Sequence, residues 1–373
     1  MIKILFMIHD LGQGGAEKVL INLVNNMNQN KFDITVISLF GGGVNEQFLK
    51  KTIRYQTVFS KSFPGNSHMM KLYTPEQLHR FFVKEKYDIE VSYLEGPTAR
   101  IISGCPNKET KLISWIHVEQ HTKEMAAKAF RSYKESAECY KRFHKTVCVS
   151  EAVKEDFFKL YPEISEPLVL YNTNETDQIL KMKDEPVEDE RFKSGEIRLC
   201  GVGKIMPNKG FDKLARIHKR LRTEGYPIHT YILGKGPEQE KIERYLEENH
   251  LKDSFTFLGY QTNPYKYVAN CDIFVCTSIA EGFSTAATEA LIVGTPVVTT
   301  PVAGMKEMLG ENNEHGIVAE QSEESVFENV RKLLNNPNML KEYKKKALLR
   351  GADFGTQNTV KAVEKMLISD INE

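Results

Sequence analysis

Two glutamates, Glu281 and Glu289, stand eight residues apart in the stretch EGFSTAATEALIVGTPVV, the first in a polar loop and the second inside a helix expected over 285–293. Between them Gly282, Phe283, Ser284 and Thr285 join an apolar strand to that helix. A junction of this kind presents unpaired backbone N–H groups and the positive end of a helix dipole, which together suit a phosphate. A carboxylate in the helix can accept two hydrogen bonds from a ribose diol, and one in the preceding loop can accept from sugar hydroxyls. Such a pair would grip both ends of a nucleotide-linked sugar. Most glutamates are surface acids, but Glu289 is flanked by Ala286, Ala287, Ala290, Leu291 and Ile292, a setting in which a lone charge is costly.

Cations for a diphosphate stand upstream, at Lys204 and Lys209 in GVGKIMPNKG. Positive charge held against a leaving diphosphate lowers the barrier to bond cleavage, although loop lysines taken alone are more often solvated. Glycine turns end the neighbouring apolar runs at Gly203, Gly234 and Gly259-Tyr260, where backbone can approach a ligand closely. In the first half, His117 closes the apolar run ISWIH, His121 follows four residues later, and Asp10 precedes the turn GQGGAEK with Gly14 and Gly15. A strand-end aspartate can equally cap the following turn.

Several chemistries are excluded by spacing. Gly12, Gly14 and Gly15 do not complete G-x-G-x-x-G, because Glu17 stands at the third glycine position, and Ile205 after Lys204 rules out a Walker loop. No Asp-x-Asp occurs in the chain, which disfavours a cation held on a diphosphate by such a pair.

The elements that must position these residues are legible as alternation. Apolar runs IKILFMI, DITVISLF and DIEVSYL alternate with helical segments over 16–27 and near 75–86, and KLISWIHV, TVCVS and PLVLYN follow. A second series runs IRLCGVG, a helix over 211–224, IHTYILG, a helix over 238–249, FTFLG, DIFVCT, the helix over 285–293 and PVVTT. Such alternation is the mark of parallel sheets covered by helices, with ligands at the carboxyl ends of the strands. A chain of 373 residues accommodates two such domains. The polar, acidic stretch after residue 171 marks the junction, giving domains over 1–171 and 172–355. A last helix over 356–373 has no partner of its own in sequence and crosses back onto the first.

Fifty basic and fifty acidic residues cancel, which argues against nucleic acid as a partner. Six cysteines without regular short spacing fit a reduced cytoplasmic setting. The short N-terminal apolar run reads as a strand rather than a signal peptide, and no stretch of about 20 apolar residues is available to span a membrane.

E-x7-E followed by G-T-P-V-V resembles the GT4 family of retaining glycosyltransferases with the GT-B fold, and GVGKIMPNKG, GGAEKVL and SWIH resemble its other markers in the same order. The resemblance implies an α/β chain of two Rossmann-like, doubly wound domains facing each other across a cleft. The N-terminal domain would bind the acceptor and the C-terminal domain the donor. It implies a nucleotide diphosphate sugar as donor, with UDP favoured and a hexose or N-acetylhexosamine transferred. The acceptor would be a glycan or lipid-linked saccharide of the kind used in bacterial cell-surface polysaccharides. No cofactor and no metal are implied. Lys204 takes the place of the family's arginine, so a bidentate fork is lost there. His117, Glu281, Lys204 and Lys209 become the catalytic candidates. Gly14, Gly15, Gly203, Gly234, Gly259, Tyr260, Gly282, Phe283, Ser284, Thr285 and Glu289 become further donor contacts, and Asp10 and His121 acceptor contacts. The departing phosphate oxygen would itself take the acceptor's proton.

The basic stretch 123–145 offers a face for an anionic lipid surface, which with the resemblance implies a cytoplasmic protein in peripheral contact with the membrane. Three other readings share these residues: a nucleotide-sugar epimerase of the same fold, a noncatalytic nucleotide-sugar-binding subunit, and a phosphorylase-like enzyme needing a pyridoxal lysine.

Overall fold

The computed structural model describes residues 1–12, 14–192 and 195–372. Gln13 in the GQGGAEK turn, Lys193 and Ser194 in the junction stretch, Glu373 at the end of the last expected helix and the side chains of 370–372 lie outside the described residues. The chain opens with β1 (Ile2–Ile8), α1 (Gly15–Asn26), β2 (Phe32–Phe40) and β3 (Arg54–Phe59). Two helices, α2 (Asn66–Leu72) and α3 (Pro75–Phe82), lead to β4 (Ile89–Ser92), and α4 (Pro97–Ile102) leads to β5 (Lys111–Ile116). Then come α5 (Lys123–Ala126), α6 (Tyr133–Tyr140), β6 (Lys145–Cys148), α7 (Glu151–Leu160) and β7 (Leu168–Val169). These seven strands pair in parallel in the order β3-β2-β1-β4-β5-β6-β7.

The second series begins with α8 (Thr176–Met182), β8 (Ile197–Val202), α9 (Phe211–Thr223), β9 (Ile228–Leu233), α10 (Gln239–Glu248) and β10 (Phe255–Gly259). It continues through α11 (Tyr265–Ala269), β11 (Ile273–Cys276), α12 (Thr285–Val293), β12 (Val297–Thr299), α13 (Met305–Leu309) and β13 (Ile317–Val318). It ends in α14 (Glu323–Leu334) and α15 (Pro337–Asp353), and the chain closes with α16 (Thr356–Asn372). Its six strands are also parallel, in the order β10-β9-β8-β11-β12-β13.

Two compact units result, Met1–Thr173 with Thr356–Glu373, and Asn174–Gly355. α16 belongs to the first: Glu364 Oε1 accepts from the Asn28 amide at 2.6 Å, and Lys145 Nζ lies 3.4 Å from Ser369 Oγ. Central strands are apolar on both faces because helices cover both. Ile4 to Ile8 of β1 are wholly buried, as are Leu199 and Cys200 of β8. Serine and asparagine caps start the connecting helices, at Ser150 for α7, Ser284 for α12, Ser322 for α14 and Asn336 for α15. All six cysteines are buried and unbridged. In each sheet the strand order reverses beside the first strand, between β1 and β4 and between β8 and β11. Those reversals leave a crevice at the carboxyl ends, where doubly wound sheets take their ligands.

The stretch 123–145 does not form one amphipathic helix. It breaks into α5 and α6, and its apolar residues Ala126, Phe130, Cys139, Tyr140 and Phe143 are buried in the first unit. Most of its apolar side is therefore already covered by protein, although Met125 is 50% exposed.

Candidate active site

In the second unit the loops after β8 and β11, the two strands flanking the reversal, are stitched together. Lys209 ends a 3₁₀ turn, Pro207–Lys209, and Gly210 follows in the left-handed region at φ +65°; a Cβ there would lie 2.2 Å from the Thr277 carbonyl oxygen. The Thr277 hydroxyl donates to the Gly210 carbonyl at 2.8 Å, and the Ile279 amide to Asn208 O at 2.7 Å. Across this seam Lys209 Nζ meets Glu281 Oε1 at 2.6 Å. The same oxygen accepts from Ser278 Oγ at 2.7 Å, and Ser278 is itself fixed by Thr300 Oγ1 donating to its carbonyl at 2.6 Å. Glu281 and Lys209 are 12% and 26% exposed, so the pair is reachable but held. Lys204 is exposed and forms no ion pair among the described residues.

The three turn glycines line up along the sheet edge. Gly203 N donates to Leu233 O at 2.9 Å and Gly234 N to Gly259 O at 2.8 Å, joining the ends of β8, β9 and β10. Gly234 must be glycine: its φ is +145°, and a Cβ would stand 1.9 Å from Gly203 O. The aliphatic chain of Lys209 passes beside Gly203, and Tyr260 is 42% exposed just beyond Gly259.

α12 begins immediately after this seam. Its first intrahelical bond is Thr288 N to Ser284 O at 3.1 Å, and Ser284 Oγ takes the Ala287 amide at 3.3 Å. The amides just before Ala287, those of Thr285 and Ala286, precede that ladder, where a helix is open to an anion. Phe283 serves packing, 5% exposed with its ring 5.8 Å from Phe354, and Gly282 precedes it. Glu289 is 7% exposed on α12 and has polar partners within the fold.

In the first unit the candidates collect at the ends of β1, β4 and β5. Asp10 caps the turn after β1, accepting from Gly12 N at 2.7 Å and pairing with His9 Nδ1 at 2.8 Å. Gly14 and Gly15 start α1 without a side-chain cap. His117, 6% exposed, donates its amide to Glu95 Oε2 at 3.0 Å, and its ring lies 4.9 Å from Tyr93. Its Nε2 finds no hydrogen-bond partner among the described residues. Burial pushes the His117 ring down to about 3, so it is neutral at physiological pH and offers one nitrogen to a ligand. His121 is different: its φ is +56°, its amide donates to Asp156, and its Nδ1 lies 3.6 Å from Asp156 Oδ1.

Glu95, Ser278 and Thr277 were not among the sequence candidates. Glu95 lies just past β4, on the far side of the first unit's strand reversal from Asp10. Its signal was the acid in YLEGP at a strand end. Ser278 could have been found as the hydroxyl three residues before Glu281.

Among the described residues two mixed clusters could hold a cation, His79–Glu90–Cys105 in the interior and Glu119–His121–Asp156 beyond β5. The first is satisfied internally, with His79 Nε2 2.8 Å from Glu90 Oε2 and Cys105 Sγ 3.6 Å from Glu90 Oε1. Neither contains a residue of the Lys209–Glu281 seam.

Known proteins resemble this chain in family and in fold. The family described as "Glycosyltransferase Family 4" matches residues 13–174, and that described as "Glycosyl transferases group 1" matches 182–350. A Campylobacter jejuni relative is 26% identical over 99% of this chain and all of its own length. It is the N-acetylgalactosamine-N,N'-diacetylbacillosaminyl-diphospho-undecaprenol 4-alpha-N-acetylgalactosaminyltransferase. An uncharacterized glycosyltransferase of Haemophilus influenzae is 24% identical over 96% of this chain and 98% of its own. Among solved structures, Anabaena HepE with UDP and glucose superposes with TM-score 0.78 at 16% identity, covering 99% of this chain and 100% of that one. WaaG, a glycosyltransferase of lipopolysaccharide biosynthesis, gives 0.74 at 16% identity, covering 97% and 99%. Both show the GT-B fold that the two sheets here reproduce. One family match on each unit, a full-length relative and the fold agree: this chain belongs to the GT4-type glycosyltransferases.

Proposed function

We propose that the chain is a retaining, metal-independent hexosyl- or N-acetylhexosaminyltransferase that uses a UDP-sugar and a lipid-linked saccharide. The observation that carries this reading is the Lys209–Glu281 pair at the strand reversal of the second unit, beside the glycine row and the start of α12. The donor's diphosphate would lie against the first amides of α12, with Lys204 and Lys209 neutralising it in place of a cation. Glu289 would accept from the ribose diol and Glu281 from the sugar hydroxyls. The turns at Gly234, Gly259 and Tyr260 would support base and ribose. In the first unit, taken by itself, His117 would offer its neutral Nε2 to a sugar hydroxyl, Gly14 and Gly15 their backbone to phosphate, and Asp10 and His121 their side chains to the acceptor.

As the bond from C1 to the diphosphate breaks, positive charge grows on the sugar and negative charge on the leaving phosphate, where the lysines act. The acceptor oxygen bonds C1 from the same face and passes its proton to the departing phosphate oxygen, which accounts for retention without a protein nucleophile. The acceptor class is taken from the C. jejuni relative, whose name gives a diphospho-undecaprenol saccharide as its own substrate, and a position at the cytoplasmic face of a membrane would suit such an acceptor.

A panel of UDP-, GDP- and ADP-sugars, screened by calorimetry and for slow hydrolysis with and without EDTA, tests the reading. UDP-sugar binding unchanged by EDTA, and an NMR product of retained configuration, are expected. Loss of turnover in EDTA or an inverted product would remove the mechanism, binding of no nucleotide sugar would remove the function, and epimerised donor would favour the isomerase.

A further inference from the structure

Immediately past β1, His9 carries a ring set for one hydrogen-bonding role. Its Nδ1 meets Asp10 Oδ2 at 2.8 Å, and Asp10 Oδ1 accepts in turn from the Gly12 amide at 2.7 Å. His9 O accepts from Phe40 N at 3.0 Å, and the Phe40 ring stands edge to face against the imidazole, centroids 5.0 Å apart. The side chains of His9 and Asp10 are 39% and 35% exposed, so the pair is reachable, and His9 Nε2 makes no hydrogen bond among the described residues. An exposed ion pair adds little stability, and the turn below has its own fastening. Leu11 O accepts from the Asn45 amide at 2.9 Å and Gly12 O from Asn45 Nδ2, with Asn45 only 7% exposed. The ring is therefore held in place without being needed to hold the turn.

A carboxylate oxygen accepts and cannot donate, so in the neutral ring Nδ1 carries the proton and Nε2 is left as the acceptor. Asp10 is locked in the orientation that imposes this, because the Gly12 amide occupies its other oxygen; a Cβ on Gly12 would lie 2.6 Å from Asp10 Oδ1. A directed, reachable Nε2 acceptor takes an O–H or N–H donor. At the carboxyl end of β1, beside the strand reversal where such sheets take their ligands, a saccharide hydroxyl supplies one. His9 follows β1, Glu95 follows β4 and His117 follows β5, three neighbouring strands of the first sheet. At about 4.8 Å per strand, His9 stands roughly 10 Å from His117 along the sheet edge, the span of two joined sugar rings. A hydroxyl has one proton to donate, and the attacking hydroxyl gives its own to the departing phosphate oxygen. The hydroxyl bonded to His9 is thus a different one.

We propose that His9, with its tautomer set by Asp10, holds a second, non-reacting hydroxyl of the acceptor saccharide, so that the enzyme selects an acceptor by a hydroxyl it does not glycosylate. Asp10 reaches the acceptor through His9 and is a positioning residue. The proposal rests on the glycosyltransferase reading with a saccharide acceptor.

Two measurements on the full chain test it. The first is nitrogen NMR of histidine-labelled protein at about pH 8, above the ordinary histidine range, with His9 assigned by its loss in His9→Gln. Wild type is expected to show the Nδ1–H tautomer. Asp10→Asn is expected to show the Nε2–H tautomer, since its amide oxygen stays on Gly12 N–H and its NH2 faces the ring. The second is steady-state transfer from the preferred UDP-sugar to a short-chain prenyl diphosphate N-acetylhexosamine and its singly deoxygenated analogues. His9→Ala is expected to raise acceptor KM by about 3- to 10-fold, the worth of one neutral hydrogen bond, with kcat changed little and with UDP affinity and melting temperature as in wild type. His9→Gln, whose Oε1 can accept, should recover part of the loss. One deoxygenated acceptor should show the same rise against wild type and none against His9→Ala. The double variant His9→Ala, Asp10→Asn should be no worse than His9→Ala alone.

An Nε2–H tautomer or a doubly protonated ring in wild type would overturn the proposal. So would wild-type acceptor KM in His9→Ala, or losses from His9→Ala and Asp10→Asn that add. Wild-type protein that binds no UDP and glycosylates no saccharide would instead remove the glycosyltransferase reading, a result distinct from transfer that ignores His9.

Discussion

Lys209 Nζ and Glu281 Oε1 lie 2.6 Å apart although 72 residues separate them in sequence, and the strand reversal between β8 and β11 is what brings them together. A bound diphosphate would draw the ammonium from the carboxylate, leaving Glu281 to accept from sugar hydroxyls. Lys209→Ala should therefore lower kcat for donor hydrolysis or transfer by about 10²–10³, the effect of losing one preorganised contact to developing charge, with a smaller change in KM. Steady-state kinetics on the preferred donor checks this, and a variant with wild-type kcat would exclude Lys209 from the transition state.

Glu289 lies one turn into α12 and is buried, where a carboxylate bonding the ribose would serve ground state and transition state alike. Binding made equally in both states appears in KM rather than kcat. Glu289→Ala is expected to raise donor KM by about 10- to 100-fold, the loss of a hydrogen bond to a charged group, with kcat changed little. Calorimetry with UDP alone should show the same loss; equal UDP affinity in the variant would place the ribose elsewhere.

Much of this was readable from residues alone, for physical reasons. β1, β2 and β8 are mostly apolar, interrupted by a charge only near their starts, at Lys3, Asp33 and Arg198, because both faces are covered, and the helices over 211–224 and 238–249 announced themselves by amphipathic period and emerged within a residue of those bounds. β3 was not legible: RYQTVF sits at a sheet edge, is largely exposed and mixes polar with apolar residues. Lys209 and Glu281 were each nameable, but their contact depends on a tertiary seam that no local pattern encodes. The bonds from Arg100 and Arg131 to the carbonyls at the end of α2 were hidden for the same reason, since both look like ordinary surface charges in sequence.

Glu95 Oε2 accepts the His117 amide at 3.0 Å, and burial raises its carboxyl above the ordinary glutamate range. It acts on His117 through the backbone, so it is a positioning residue. Glu95→Ala should lower turnover by about 2- to 10-fold, the worth of one hydrogen bond, whereas Glu95→Gln, which keeps an acceptor oxygen, should recover most of it. The acid limb of the kcat profile should be the same in wild type and Glu95→Gln if the role is positional; a limb that disappears with Gln would make Glu95 a proton donor instead.

The fold has its own pH signature, away from the proposed site. Burial pushes the His79 ring down, but hydrogen bonds with Cys105 and Glu90 and the Glu90 charge outweigh it and carry His79 from 6.5 up to about 9. A group whose folded value is raised binds its proton more tightly when native, so the stabilisation is complete below pH 6.5 and is lost as pH rises toward 9. It is on the order of 3 kcal/mol. Melting temperature should fall between pH 6.5 and 9 in wild type. The paired variant His79→Gln with Glu90→Gln, which removes both charges and leaves neither buried alone, should lose that slope. A wild-type melting profile flat across the interval would mean that His79 is already neutral beside Glu90.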